Sequence, residues 1–246
     1  MAETEGRLWS EMKDKRRALN ALERAWKKTP RGSGTAIRIS KIYASANKPD
    51  AQKAILEEAL ARDPEDKGVH YAMAMFLLSQ ADGRWDKQAI TRHLGASFHV
   101  NDGNFEERYT LGQFLFAIGQ FQKAQELFDE IDRRAPADFR RFPPRRDNAI
   151  TALLETYSGT VVESGQTGYF FLRTGIYPHN IFAHRSAFEE AEVDEIEIGN
   201  QVFFRLRFNR RGPVAVSVHR KATDWSKTGA EIAETELVET EVESVS

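Results

Sequence analysis

The residues of this chain best suited to chemistry are flat rings. Thr167-Gly168-Tyr169-Phe170-Phe171-Leu172 is followed at a short interval by Asn180-Ile181-Phe182-Ala183-His184-Arg185. Both stretches are rich in aromatic and β-branched residues and read as strands. Alternation along a strand puts Tyr169 and Phe171 on one face, with Phe170 and Leu172 on the other. The same rule groups Phe182 with His184, opposite Ile181 and Ala183. If the two strands pair, four rings share one sheet surface. Nucleobases are the flat partners that such a surface stacks, with little sequence preference.

Cations accompany the rings. Arg185 closes the second stretch. Further on, Val202, Phe204, Leu206 and Phe208 alternate with Phe203, Arg205 and Arg207, and Arg210 and Arg211 fall in the next turn. Six arginines lie between Arg133 and Arg146. Arg133 and Arg134 suit the negative end of a helix dipole. Arg140, Arg141, Arg145 and Arg146, interleaved with Phe139 and Phe142 around Pro143-Pro144, read either as a phosphate track or as a solvated linker.

Catalysis has no comparable signature. The chain contains no Gly-x4-Gly-Lys-Ser/Thr loop and no Gly-x-Ser-x-Gly elbow. His70, His93, His99, His179, His184 and His219 show no ligand spacing with carboxylates. There is no cysteine, which excludes disulfides, thiolate chemistry and Cys-based zinc sites and fits a reducing compartment. No enzyme, no metal and no cofactor is expected.

The chain has 246 residues, enough for two ordinary domains, and a formal charge of −2, so no global basic field draws it to nucleic acid. No apolar run approaches the ~18 residues of a membrane helix. Met1-Ala2-Glu3-Thr4-Glu5-Gly6 is too acidic for a signal peptide. The expectation is a cytoplasmic protein with no membrane association.

The elements that position these residues begin with helices. Tyr109 to Pro136 carries Leu111-Gly112, Gly119, Phe121, Ala124, Phe128 and Pro136. Gly112 permits close helix approach, Gly119 supports a turn, Ala124 is small where helices cross, and Phe128 fills the interface. This pattern resembles the tetratricopeptide repeat, with Arg108 at the usual tryptophan. Pro30 and Pro64 are 34 residues apart, the period of that family. Pro64 to Pro136 is 72 residues, two periods plus four. A divergent repeat is expected between them, with helices over Lys67–Gln80 and Asp86–Ser97, a loop at Ala81–Arg84, and the extra residues at His99–Gly103. Leu8 to Lys28 reads as one helix whose Leu8, Trp9, Met12, Leu19, Leu22 and Trp26 need cover. It has no earlier partner, so either the chain is the C-terminal part of something longer, which is the preferred reading, or this helix packs on itself or on another subunit. The resemblance implies a concave face for a protein partner. Asn20, Lys41, Tyr43, Tyr71, Arg108 and Gln113 are candidates to line it, although Tyr43 and Tyr71 also suit ordinary packing.

The second half resembles a cold-shock domain, a five-stranded OB-type barrel, over about Ser158 to Val218. The motifs that carry the likeness are Gly159-Thr160-Val161, Thr167 to Leu172, Ile181 to Arg185, Gly199 with Val202 and Phe204, and Gly212 to Val218. There are departures from the family. Thr167 replaces a lysine, Phe170 replaces a glycine and should turn into the core, and Arg185 replaces an aromatic. Glu163 and Ser164 stand where an aromatic usually follows the first strand. The resemblance implies binding of single-stranded RNA or DNA on a reduced platform of Tyr169, Phe171, Phe182 and His184. Asp147 to Tyr157 reads as a capping helix leading into the barrel. Six acids crowd Glu189 to Glu197. Ala222 to Ser246 holds 7 acids and one lysine and reads as a disordered tail.

The expected architecture is an α + β multidomain chain. A helical repeat spans residues 1–137, an arginine-rich linker and capping helix 138–157, an OB/cold-shock-like barrel 158–221, and an acidic tail 222–246. The expected function is an adaptor or regulatory protein that binds single-stranded nucleic acid through the barrel and a protein through the repeats. The alternatives are an interaction scaffold whose barrel has lost nucleic acid, or the sensor end of a larger effector.

Overall fold

The computed structural model describes residues 4, 14–28, 32–80, 85–136, 150, 154, 156–165, 168–188 and 194–220. Leu8, Trp9, Met12, the four linker arginines, Thr167, most of the expected 147–157 helix and the acidic tail lie outside them. By internal contacts the chain divides into two compact units, Met1–Leu111 and Gly112–Ser246.

Among the described residues there are seven helices: α1 Lys15–Lys28, α2 Ser33–Ser45, α3 Pro49–Arg62, α4 Lys67–Ser79, α5 Lys87–Ala96, α6 Phe105–Ala117 and α7 Phe121–Arg134. Their starts follow local rules. Pro49 opens α3, where its missing N–H costs nothing. Asp66 and Asp86 cap α4 and α5 by accepting from the Val69 and Ala89 N–H groups at 2.8 and 2.9 Å. In the first unit α1 packs on α2, α2 on α3, α3 on α4, α2 on α4, and α4 on α5. The shared core joins Leu22 and Trp26 of α1, Ile39 of α2, Leu56 of α3, and Val69, Met73 and Phe76 of α4. Ser40 and Ala74 are small and buried, which lets the helices approach. The first helix is therefore covered by its successors: Arg62 also lays its guanidinium 4.2 Å from the centre of the Trp26 ring.

The second unit holds the end of α6, α7 and a closed barrel of β1 Tyr157–Gly165, β2 Tyr169–Arg173, β3 Ile181–His184, β4 Gln201–Asn209 and β5 Gly212–His219. Strand order is β1-β2-β3-β5-β4, closed by β1 with β4. All pairs are antiparallel except β3 with β5. Closure leaves no free sheet edge. Tyr157 is the first residue of β1, paired with Phe204, and does not end a helix as expected. The interior is filled by Val161, Phe170, Leu172, Ile181, Ala183, Val202, Phe204, Leu206, Phe208, Ala215 and Val218. Phe170 is absorbed as expected, its ring centre 4.7 Å from that of Phe188.

The expected helix contacts appear in this unit. A Cβ on Gly112 would meet Phe128 Cε1 at 3.0 Å, and Ala124 and Phe128 are fully buried. Gly119 turns between α6 and α7 at φ +81. The β4–β5 turn is seated on α7. Phe208 stacks on Phe128 at 5.8 Å, and Asp132 accepts from Arg210 and Arg211 at 2.8 and 3.3 Å. Tyr177 donates to Gln125 and packs edge-on to Phe116 at 5.2 Å. The division between units thus falls inside α6, earlier than the expected boundary after residue 137, because α7 buries its apolar face on the barrel.

Candidate functional site

Tyr169, Phe171 and Phe182 come together on the outside of the barrel, each half-buried. The pairing of β2 with β3 sets Tyr169 opposite His184 and Phe171 opposite Phe182. Tyr169 and Phe182 are near-parallel, 25° apart with centroids at 6.1 Å. Phe171 stands edge-on to both, at 5.6 Å from Tyr169 and 5.9 Å from Phe182. Gly165 makes this possible, since a Cβ there would lie 2.2 Å from the Tyr169 ring. The ring rests on the bare backbone of β1.

His184 is oriented by the turn that follows. The Ser186 N–H donates to His184 Nδ1 at 3.2 Å and the Ser186 hydroxyl lies 2.8 Å away. With Nδ1 accepting, the proton sits on Nε2, which makes that atom a donor. Arg185 is exposed and ion-paired with Asp194 at 2.6 Å. Arg220 pairs in the same way with Glu195. Such exposed pairs contribute little and exchange readily.

Arg205 and Arg207 lie on β4, opposite Val216 and Val214 of β5, and in the closed strand order β4 is two strands away from both ring-bearing strands. The described candidates therefore lie on one barrel, with Arg185 drawn to the acidic loop. Arg210 and Arg211 serve the α7 contact instead. Arg140, Arg141, Arg145 and Arg146 lie outside the described residues. One surface member was missed from sequence. Glu163 stands opposite Phe171. The strand's alternation would have placed it otherwise, because Val162 is an extra residue in a β-bulge.

In the helical unit the candidate lining residues separate. Asn20 and Lys41 are exposed. Tyr43 is half-buried and donates to Glu23 at 2.7 Å; burial and that carboxylate push its pKa up to about 12. Tyr71 is half-buried near the Thr110 hydroxyl at 3.2 Å. Arg108 is fully buried and cannot line a face. It takes the place of a large ring by lying between Phe98 and Phe105, and it donates to the carbonyls of Asp102 and Val100 at 3.0 Å. The expected extra residues at His99–Gly103 form the loop it holds. Asp102 folds the same loop by accepting from the His99 N–H and Lys67 at 2.7 and 2.9 Å. Burial raises its pKa, but hydrogen bonds from His99, Lys67 and Asn104 outweigh that and hold the carboxyl well below the usual range. Gln113, also expected on the groove, belongs to the second unit and is buried.

Two histidines that showed no spacing pattern meet across α4 and α5. His70 Nδ1 and His93 Nδ1 are 2.8 Å apart, and His70 Nε2 lies 2.8 Å from the Pro64 carbonyl. The carbonyl only accepts, so His70 Nε2 carries its proton. In the neutral pair His93 Nδ1 then donates to His70 Nδ1. Burial, His70 and Arg92 together lower the His93 pKa to about 4. Among the described residues no group of three or more His, Asp or Glu side chains could hold a metal ion, and no helix is long and apolar enough to cross a membrane.

A tetratricopeptide repeat family model matches residues 35–66, which cover most of α2 and all of α3. No curated protein matches. Solved structures similar to this chain include YrrB, described as a TPR protein with an unusual peptide-binding site. It is 17% identical, over 62% of this chain and 74% of that one, with a TM-score of 0.46. PilW, a widely conserved type IV pilus biogenesis factor, is 15% identical over 54% and 60%, at 0.45. MamA from Desulfovibrio magneticus RS-1 is 15% identical over 54% and 72%, at 0.43.

Proposed function

We propose that this protein is a two-part adaptor. Its tetratricopeptide-like helices hold a protein partner, and its barrel is an OB fold of cold-shock type that binds single-stranded RNA or DNA. It works by binding and not by catalysis, and its place is the cytoplasm. The helical half of the reading rests on the repeat match at residues 35–66. The barrel half rests on one observation: Tyr169, Phe171 and Phe182 are gathered on one outward face of β2 and β3. The strand order, with β3 parallel to β5 and β1 closing on β4, supports the OB assignment. The linker residues Arg140, Arg141, Arg145 and Arg146 would add phosphate contacts to a bound strand.

Two observations favour the rival reading of a pure interaction scaffold. Glu163 stands beside the rings, and Asp194 already engages Arg185. Binding of labelled oligo(U) and oligo(dT) separates the two. The adaptor binds with a salt-dependent affinity, and Phe171→Ala or Phe182→Ala weakens it by about 1–3 kcal/mol each with the barrel folded. A folded double variant that binds like the parent would leave only the scaffold.

A further inference from the structure

The outer face of β2 does not end at its rings. The strand buries Phe170 and Leu172 and turns Tyr169, Phe171 and Arg173 outward. Arg173 therefore stands on the ring face, about 7 Å beyond Phe171 along the strand. Its backbone is pressed against β1: a Cβ on Gly159 would come within 2.9 Å of the Arg173 carbonyl oxygen. Its neighbours across the strands carry no charge. Arg173 pairs with Thr160 on β1, and Thr160 pairs with Gln201 on β4. Directly opposed residues point to the same side of a sheet, so a polar, uncharged row flanks the guanidinium. Glu163 lies one row away, opposite Phe171.

We propose that Arg173 is the phosphate contact of this platform: a single strand stacked on Phe171 and Phe182 carries its backbone onto the guanidinium at the end of β2. This role rests on the nucleic-acid reading above and adds the residue that meets the backbone. What sets Arg173 apart is an uncommitted charge. The side chain is exposed, and among the described residues no carboxylate engages it. The other described arginines of the barrel are engaged or distant. Arg185 pairs with Asp194, Arg210 and Arg211 with Asp132, and Arg220 with Glu195. Arg205 and Arg207 lie on β4, two strands from the rings, and Arg207 has a contact of its own. A guanidinium with no carboxylate partner gives nothing up when a phosphate arrives, and its fork of N–H donors takes two phosphate oxygens at once. The spacing suits such a ligand. Stacking fixes a base on the rings, and the backbone that joins it to the next base then passes within reach of a long cationic side chain one row away.

The test is a fluorescence-anisotropy titration of the full chain with short labelled oligo(U) and oligo(dT) at graded salt. Arg173→Gln should lower affinity severalfold and flatten the log–log salt slope by about 0.7, the share of one phosphate contact on a single strand. Arg173→Lys should keep the slope, since an ammonium still neutralises one phosphate. Arg211→Gln removes the same unit of charge from the β4–β5 turn and should keep the parental slope. Urea midpoints and circular dichroism establish that each variant is folded. If Phe171→Ala with Phe182→Ala abolishes binding while Arg173→Gln keeps the parental affinity and slope, the role of Arg173 is wrong and the nucleic-acid reading stands. If Arg173→Gln and Arg211→Gln flatten the slope equally, net charge and not a contact is responsible, and the role of Arg173 is again wrong. If the parent does not bind, or the ring variant binds as the parent does, role and reading fall together.

Discussion

His93 carries the clearest energetic consequence of a single side chain. Its pKa is 6.5 in a solvated chain and about 4 in the fold, with burial the main cause and His70 and Arg92 adding to it. The proton that the unfolded chain accepts near pH 6.5 is refused by the fold until near pH 4. Stability from this group is therefore complete above about pH 6.5 and is lost as pH falls toward 4, by about 3 kcal/mol at most. The pH-induced drop in the urea midpoint, from about pH 7.5 to about pH 4.5, should be larger in the parent than in His93→Gln, which keeps a polar partner for His70 without titrating. Equal drops would show that the pair is not the acid-sensitive contact. Nothing in the spacing of His70 and His93 announced this pair. It exists because two neighbouring helices happen to face each other there. Arg108 is similar: its position was legible as that of a large ring, but only the packed loop shows a guanidinium lying between Phe98 and Phe105 and serving three backbone carbonyls.

The elements themselves were largely legible. The helices expected over Lys67–Gln80 and Asp86–Ser97 are α4 Lys67–Ser79 and α5 Lys87–Ala96, because Asp66 and Asp86 set their starts. The alternation of Tyr169 to Leu172 and of Ile181 to His184 sorted rings from core correctly, since a strand's period of two is local geometry. What alternation could not supply was Val162, whose bulge shifts Glu163 by one face. α7 shows the same mixture. Its apolar face was readable, but Phe128 contacts Gly112 on one side and Phe208 and the β4–β5 turn on the other. Phe128→Ala should therefore destabilise the second unit by about 3–5 kcal/mol, the cost of an unfilled aromatic cavity. Urea unfolding followed by far-ultraviolet circular dichroism reads this. A loss below about 1 kcal/mol would mean that α7 contributes little to holding the barrel.

Across the whole chain, the organisation depends on which apolar faces find each other. The proline- and arginine-rich linker expected from residue 138 looked like a seam between a helical domain and a barrel. The second unit nevertheless includes α7, held by Phe128 with Phe208, by Tyr177 with Gln125 and by Asp132 with Arg210 and Arg211. A protease site placed between Arg141 and Arg145 should cut the chain without releasing the barrel. The two fragments should co-elute on gel filtration and separate only in denaturant. Fragments that part in native buffer would restore the seam as a true boundary. Helix starts, strand faces, the repeat period and the core-bound Phe170 followed from the order of residues, because each is governed by neighbours within a few positions. The parallel pairing of β3 with β5, the seat of the barrel on α7, the His70–His93 bond and the outward turn of Glu163 did not. Each depends on the register between segments distant in sequence, and a one-residue shift in register turns a side chain from core to surface without changing any local rule.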